Sequence, residues 1–106
     1  MVVKELDFQE SLDFANRHRT KLVWLGKEPI EYIRQLLDLN ESQIVGMDPD
    51  SIVCADKEEV VRFKDHVFVC YHGNTSKYVV NAIKDKSGVE SVSMKGGITA
   101  VVGERF

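Results

Sequence analysis

The stretch that decides the fold is HVFVCYHGNTSKYVV, residues 66–80, in which a strand pattern passes through a short polar loop into a helix pattern. Residues 66–70 (HVFVC) are β-branched and aromatic, which is typical of a strand. Residues 71–75 form a polar loop around Gly73, and Ser76 is placed to cap a helix that ends at Ser87-Gly88. A strand that leads directly into a helix predicts a crossover connection, and therefore parallel strands.

The rest of the chain alternates in the same way. Asp7 and Glu10 have the spacing of a capping box, so we expect a helix over residues 8–18. Pro29 suits the first turn of another helix, which extends to near Asn40. Further patterns predict strands at 2–6, 21–25, 43–47 and 89–94, a turn at 48–50, a helix at 57–63 and a last apolar run at 98–102.

This order of elements predicts an α/β fold in one domain spanning residues 1–106. We expect a mainly parallel central sheet of four or five strands with helices on both faces. Ligands of such sheets bind at the carboxyl ends of the strands. The pattern therefore predicts a site near Cys70, at the end of the strand in residues 66–70.

Composition limits the class of protein. The chain has 106 residues, of which 43% are hydrophobic and 29% charged, so one domain with a modest core is expected. The formal net charge of −3 disfavours binding to nucleic acid or to an anionic membrane. Residues 1–65 hold 14 acidic and 9 basic side chains (net −5), and residues 66–106 hold 3 and 5 (net +2), which sum to −3. An anionic ligand is expected to prefer the second segment.

Cysteine usage and the chain's start predict an intracellular, cytoplasmic protein. Cys54 and Cys70 are the two cysteines, and they form no CxxC pair. A disulfide framework or a zinc site would need more thiols or clustered histidines, so we expect neither, and no bound metal. The first ten residues, MVVKELDFQE, have no apolar signal region, and no run approaches the length of a membrane span.

The loop after Cys70 carries the chemistry. Gly73 and Asn74 tolerate left-handed backbone angles, so the loop can curl and turn successive N–H groups inward as an anion nest. The following helix directs its positive amino end to the same space. These features stabilise a thiolate, which is the reactive form of cysteine. The alternative is that Cys70 is an inert core residue, but its place at the end of a strand favours a nucleophile.

Two motifs resemble those of rhodanese-like domains. Residues 70–76 (CYHGNTS) are similar to the family's active-site loop, C-x-x-G-x-R-S, and residues 88–98 (GVESVSMKGGI) are similar to its G-(F/V)-x-x-V-x-x-L-x-G-G strand and turn. Both occur in the family's order and spacing, and together they cover residues 66–100. The first half of the chain agrees with the family only in its alternation of strands and helices.

The resemblance implies a sulfurtransferase that needs no cofactor. Cys70 would take sulfur from a small anionic donor such as thiosulfate and hold it as a persulfide. The backbone of Tyr71, His72, Gly73, Asn74, Thr75 and Ser76 would cradle the donor and the persulfide. A thiol, a protein sulfur acceptor or cyanide would then remove the sulfur. The sequence leaves the oligomeric state open.

The sequence departs from the family at two places. Thr75 stands where the family often has Arg, and Gly26-Lys27-Glu28 stands where an Asp-Val-Arg usually follows the early strand. The departures leave open a weak or inactive rhodanese-like module that binds or regulates a partner. They also disfavour a phosphatase or arsenate reductase, because neither Thr75 nor Ser76 offers the bidentate Arg that such a loop needs.

Three further features have two interpretations each, and Lys77 has one. His72 is either a donor to the substrate or an exposed loop side chain. Lys77 is a possible source of positive charge for the donor, and Cys54 is either a relay thiol or a small apolar residue. The segment Lys95-Gly96-Gly97 either frames the mouth of the site or only turns the backbone.

Overall fold

The computed structural model describes residues 3–103. The strands are β1 (Glu5–Leu6), β2 (Leu22–Trp24), β3 (Ile44–Gly46), β4 (Val67–Val69) and β5 (Val92–Met94). The helices are α1 (Phe8–His18), α2 (Ile30–Leu37), α3 (Pro49–Val53), α4 (Lys57–Val60), α5 (Asn74–Ser87) and α6 (Thr99–Val102), with a 3-10 turn at Val61–Phe63 after α4.

The five strands form one sheet in the order β1-β5-β4-β2-β3, and every neighbouring pair is parallel. This confirms the predicted parallel sheet. Because β4 lies in the middle of the sheet, its carboxyl end is flanked by the ends of β5 and β2. The loop after β4 therefore lies between the segments that follow β5 and β2, which hold it in position.

Helices cover both faces of the sheet, as predicted, because alternate strand residues point to opposite sides. On one face, Leu22 and Trp24 pack against α1 and α2. On the other face, Val23 and Phe68 pack against α3, α4 and α5. Within residues 3–103 no helix is long and apolar enough to cross a lipid bilayer.

Several helix boundaries follow local capping. The Asp7–Glu10 capping box is present, and α1 spans the predicted residues. Helix α2 ends at Leu37, earlier than predicted, because Asp38 adopts a left-handed φ of 56°. Residues 48–50, predicted as a turn, instead start α3: the Asp48 side chain accepts from the N–H of Asp50, and Pro49 is the first helical residue.

The remaining differences are small. The first strand is confirmed at Glu5–Leu6, and Val2 of its predicted range lies outside the described residues. The predicted helix over 57–63 divides into α4 and the 3-10 turn. The prediction that Ser76 caps a helix is wrong, because α5 begins at Asn74 and its cap is Gly73, at a φ of 96°. Glycine reaches this angle without steric cost, so the helix starts sooner after the strand.

Candidate active site

Cys70 directly follows β4 and lies where the strand ends, as the sequence predicts. Its residue surface is 3% exposed, and it packs in the core on the α5 side of the sheet. Only Tyr71, His72 and Gly73 separate it from the first residue of α5. The short connection therefore holds the sulfur at the amino end of a 14-residue helix, where the helix dipole favours negative charge.

Two backbone N–H groups donate to the sulfur. The N–H of Gly73 lies 3.1 Å from Sγ, and the N–H of Ser76 lies 3.3 Å from it. The thiol in turn donates to Oγ of Ser76 at 3.5 Å. Two backbone donors directed at one buried sulfur form an anion site that does not rely on a charged side chain.

A pair of buried serines supports this cradle. Oγ of Ser76 lies 2.6 Å from Oγ of Ser93, and it also donates to the carbonyl of Gly73 at 3.2 Å. Both serines are 0% exposed. Ser93 belongs to β5, and sequence reasoning did not identify it as a site residue. The available signal was a serine in the middle of a strand expected to be buried, since a buried hydroxyl needs a partner.

Tyr71 fastens the loop to the segment after β2. Its hydroxyl accepts from the N–H of Lys27 at 2.9 Å and donates to the carboxylate of Glu28. Its ring meets Trp24 edge-on, with centroids 5.2 Å apart, and Nε1 of Trp24 donates to the carbonyl of Glu28 at 3.2 Å. Burial and the Glu28 carboxylate raise the pKa of Tyr71 above its ordinary value of 10.0. Lys27 and Glu28 belong to the segment that stands where the rhodanese-like motif usually has Asp-Val-Arg.

The Gly96-Gly97 turn packs directly on the loop backbone. A Cβ on Gly97 would lie 2.5 Å from the carbonyl oxygen of Cys70 and from the carbonyl carbon of Tyr71. The next residue, Ile98, donates its N–H to the Cys70 carbonyl at 2.8 Å. The N–H of Thr99 donates to the Tyr71 carbonyl at 3.1 Å. Gly97 is therefore needed for close approach to the loop as well as for turning, whereas a Cβ on Gly96 would meet the side chain of Ala100.

The other candidate residues lie further from the sulfur's contacts. His72 is exposed, with Nδ1 3.2 Å from Oγ1 of Thr99. Asn74 and Thr75 are exposed at the start of α5. Lys77 pairs with Glu5, with Nζ 3.4 Å from the carboxylate.

Cys54 differs from Cys70 in its surroundings. It is the C-cap of α3 and is exposed, whereas Cys70 is buried, and both are free thiols. Within residues 3–103, no three His, Cys, Asp or Glu side chains are grouped so that they could hold a metal ion.

A cleft of about 580 Å³ adjoins the loop at the carboxyl ends of β2 and β3. Its walls include Lys27 and Glu28, which hydrogen-bond to the Tyr71 hydroxyl, and Asp48 of the facing segment. Residues 70–76 are not part of its lining. The N–H donors to Sγ of Cys70 therefore lie outside this cleft, and the cleft is their neighbour on the same edge of the sheet.

Comparison with known proteins agrees with this architecture. No family model matches the chain, and no curated protein matches it. Among solved structures, a rhodanese-related protein from Thermoplasma volcanium superimposes with a TM-score of 0.57 at 19% sequence identity, over 97% of this chain and 94% of that one. At this identity the likeness concerns the fold alone. The chain has the rhodanese-like fold that its two motifs predicted.

Proposed function

We propose that the protein is a sulfurtransferase that carries a sulfane sulfur on Cys70. The observation that carries this proposal is the pair of N–H donors, from Gly73 and Ser76, directed at Sγ. They stabilise the thiolate that attacks and the thiolate that is regenerated, so they act at the start and at the end of a transfer cycle.

The proposed cycle has two displacements. The Cys70 thiolate attacks the outer sulfur of thiosulfate, the S–S bond of thiosulfate breaks with its electron pair on the leaving group, and sulfite departs. The enzyme then holds a Cys70 persulfide. The thiolate of an acceptor attacks the outer sulfur of this persulfide, and the Cys70 thiolate leaves. Each step exchanges one S–S bond to the transferred sulfur for another, with no net oxidation or reduction, so no external oxidant or reductant is required.

Within this cycle the two serines supply a hydroxyl hydrogen bond that can change direction. In the thiol form, Cys70 donates to Oγ of Ser76, and Ser76 donates to the Gly73 carbonyl. Once the sulfur is charged, the Ser76 hydroxyl can rotate to donate to it, while Ser93 at 2.6 Å keeps Oγ of Ser76 hydrogen-bonded. The buried pair can thereby hydrogen-bond to both protonation states of the sulfur without any charged side chain beside it.

The donor is expected to bind weakly if it is thiosulfate. Thr75 offers a single hydroxyl where a guanidinium would bind the sulfonate with two hydrogen bonds. Lys77 is engaged with Glu5, so His72 is the basic side chain of the loop that remains on the exposed side. A protein or small-molecule persulfide donor, which lacks the sulfonate, suits this loop better than thiosulfate does.

A second candidate function is a non-catalytic module that binds or regulates a partner. The 3% exposure of Cys70, together with a neutral Thr75, is the observation that favours it. The two functions differ in a direct way, since only a sulfurtransferase takes up sulfur on Cys70.

The test is the intact mass of the protein after incubation with a sulfur donor. The Cys54→Ser variant is used because the exposed thiol of Cys54 would also react. Thiosulfate, mercaptopyruvate and a persulfide loaded by a cysteine desulfurase are compared as donors. The expected result is a gain of one sulfur atom that is lost on adding thiol and is absent in the Cys54→Ser, Cys70→Ser double variant. No uptake from any of these donors would support the non-catalytic module.

A further inference from the structure

A second depression runs from Lys21 and His66, before β2 and β4, to Gly46 and Met47 at the carboxyl end of β3, where it meets the cleft described above. None of residues 70–76 lines it. This groove has a volume of about 420 Å³. It is within the range of small-molecule sites, about 300–1,000 Å³. His66 lines it and precedes β4, whereas Cys70 follows β4. The two residues are thus separated by four steps along a strand, about 13 Å at 3.3 Å per residue.

The floor of the groove is apolar. Val23 and Phe63 are buried core residues at 0% and 4% exposure. Val45 and Met47 are partly buried against the same core and also line the groove. Because β3 is the edge strand of the sheet, this corner of the apolar layer is less enclosed than the middle. Val45 and Met47 are the apolar lining residues that still face water, so an apolar ligand body that covered them would bury that surface.

The rim of the groove is basic. Lys21, Arg62 and His66 line it, and its lining contains no Asp or Glu. Among the described residues, none of these three side chains forms an ion pair with a carboxylate. This is unexpected for a chain whose first 65 residues carry a net charge of −5. Positive charge without a paired carboxylate, beside an apolar floor, favours a ligand that is an anion with an apolar body.

Each basic side chain is held in place. The guanidinium of Arg62 lies over the ring of Phe63, 4.7 Å from its centroid. Nζ of Lys21 donates to the carbonyl of Glu41 at 3.4 Å, which leaves its remaining protons for a ligand. Nδ1 of His66 lies 3.1 Å from the carbonyl of Lys64, and its ring meets Phe63 edge-on. Pre-positioned donors lose less conformational entropy when a ligand binds.

We infer that this groove binds a small organic acid whose apolar body is aromatic or branched. The body lies on Val45 and Met47, above the buried Val23 and Phe63, and the carboxylate is held by Lys21 and Arg62. The site is independent of sulfur transfer at Cys70, so it stands whether or not the proposed function does.

The experiment titrates the 106-residue chain with 1-naphthaleneacetate and, separately, with the neutral 1-naphthaleneacetamide of nearly the same shape. Binding is followed by amide chemical shifts in ¹H–¹⁵N spectra and by calorimetry. We expect saturable binding of the acid, with the largest shifts around Val45, Arg62 and His66, and about fivefold weaker binding of the amide.

Two charge-matched variants locate the interaction. Arg62→Gln is expected to weaken binding of the acid about fivefold, while Lys57→Gln, which removes an equal charge from an exposed position outside the groove, leaves it unchanged. Arg62→Lys, which keeps the charge, retains most of the affinity and controls for the loss of contact with Phe63. Amide binding as tight as acid binding, shifts centred elsewhere, or no saturable binding below about 1 mM would each overturn the inference.

Discussion

Replacing Gly97 with alanine tests whether the glycine turn holds the cysteine loop in place. The new Cβ would lie 2.5 Å from the Cys70 carbonyl oxygen, whereas ordinary contacts of this kind begin near 3.4 Å. Every close atom belongs to the backbone of Cys70 or Tyr71, so no side chain can rotate away to make room. The loop itself must move, by roughly 1 Å.

The expected loss in the free energy of unfolding has two parts. The left-handed φ of 66° at Gly97 costs an alanine about 1 kcal/mol. Overpacking against backbone adds about 1–3 kcal/mol, and displacement of the loop strains the Ile98–Cys70 and Thr99–Tyr71 hydrogen bonds. We expect Gly97→Ala to lower the free energy of unfolding by about 3 kcal/mol in total.

Gly88→Ala is the matched control. Gly88 has a similar φ of 79°, but nothing lies within 4 Å of a Cβ built there. Gly88→Ala is therefore expected to lose about 1 kcal/mol from the left-handed backbone angle and nothing from steric contact. The difference of about 2 kcal/mol between the two variants isolates the contact between the glycine turn and the loop.

Urea unfolding measures the stability of both variants, and intact mass measures sulfur uptake on Cys70 in a Cys54→Ser background. Gly97→Ala is expected to slow uptake about tenfold or more, because displacements near 1 Å are costly at a reacting centre. Gly88→Ala is expected to keep the parent rate. Equal losses of stability in the two variants, with unchanged uptake in Gly97→Ala, would refute the reasoning.

Three further predictions concern the loop's supports. Ser93→Ala leaves Ser76 without its 2.6 Å partner and is expected to lower the free energy of unfolding by about 1–2 kcal/mol, read by urea unfolding, and to slow sulfur uptake. Tyr71→Phe is expected to cost about 1 kcal/mol at neutral pH. Since the pKa of Tyr71 is raised in the fold, its contribution is fully present below about pH 10 and is lost as pH rises further. Stability of the parent should therefore converge on that of Tyr71→Phe in alkaline urea titrations, and a constant gap would contradict this. Thr75→Arg is expected to lower the apparent KM for thiosulfate in steady-state assays, because a guanidinium binds the sulfonate with two hydrogen bonds.

The sheet and the position of Cys70 could be predicted because local signals and tertiary structure agree there. The pattern of residues 66–70 predicts a strand, and the glycine and polar residues after them predict a loop. Both features depend on neighbours in sequence. The direction of the chain through the sheet then followed from the crossover rule, which needs no side-chain detail.

The supports of the loop could not be predicted because they depend on contacts distant in sequence. Ser93 meets Ser76 across 17 residues, and Tyr71 meets Glu28 across 43. The sequence predicts Ser76 as a helix cap because serine is common at caps, but its hydroxyl is buried in the core. Gly73 is the N-cap of α5 because its backbone adopts a left-handed φ, and the sequence pattern alone does not specify that angle.

The measurement that tests the central claim most directly is the mass of the Cys54→Ser protein after exposure to a persulfide donor. We expect one added sulfur atom located on Cys70, released by thiol, and absent from the Cys54→Ser, Cys70→Ser double variant. A folded protein that gains no sulfur, or that gains it equally without Cys70, would contradict it.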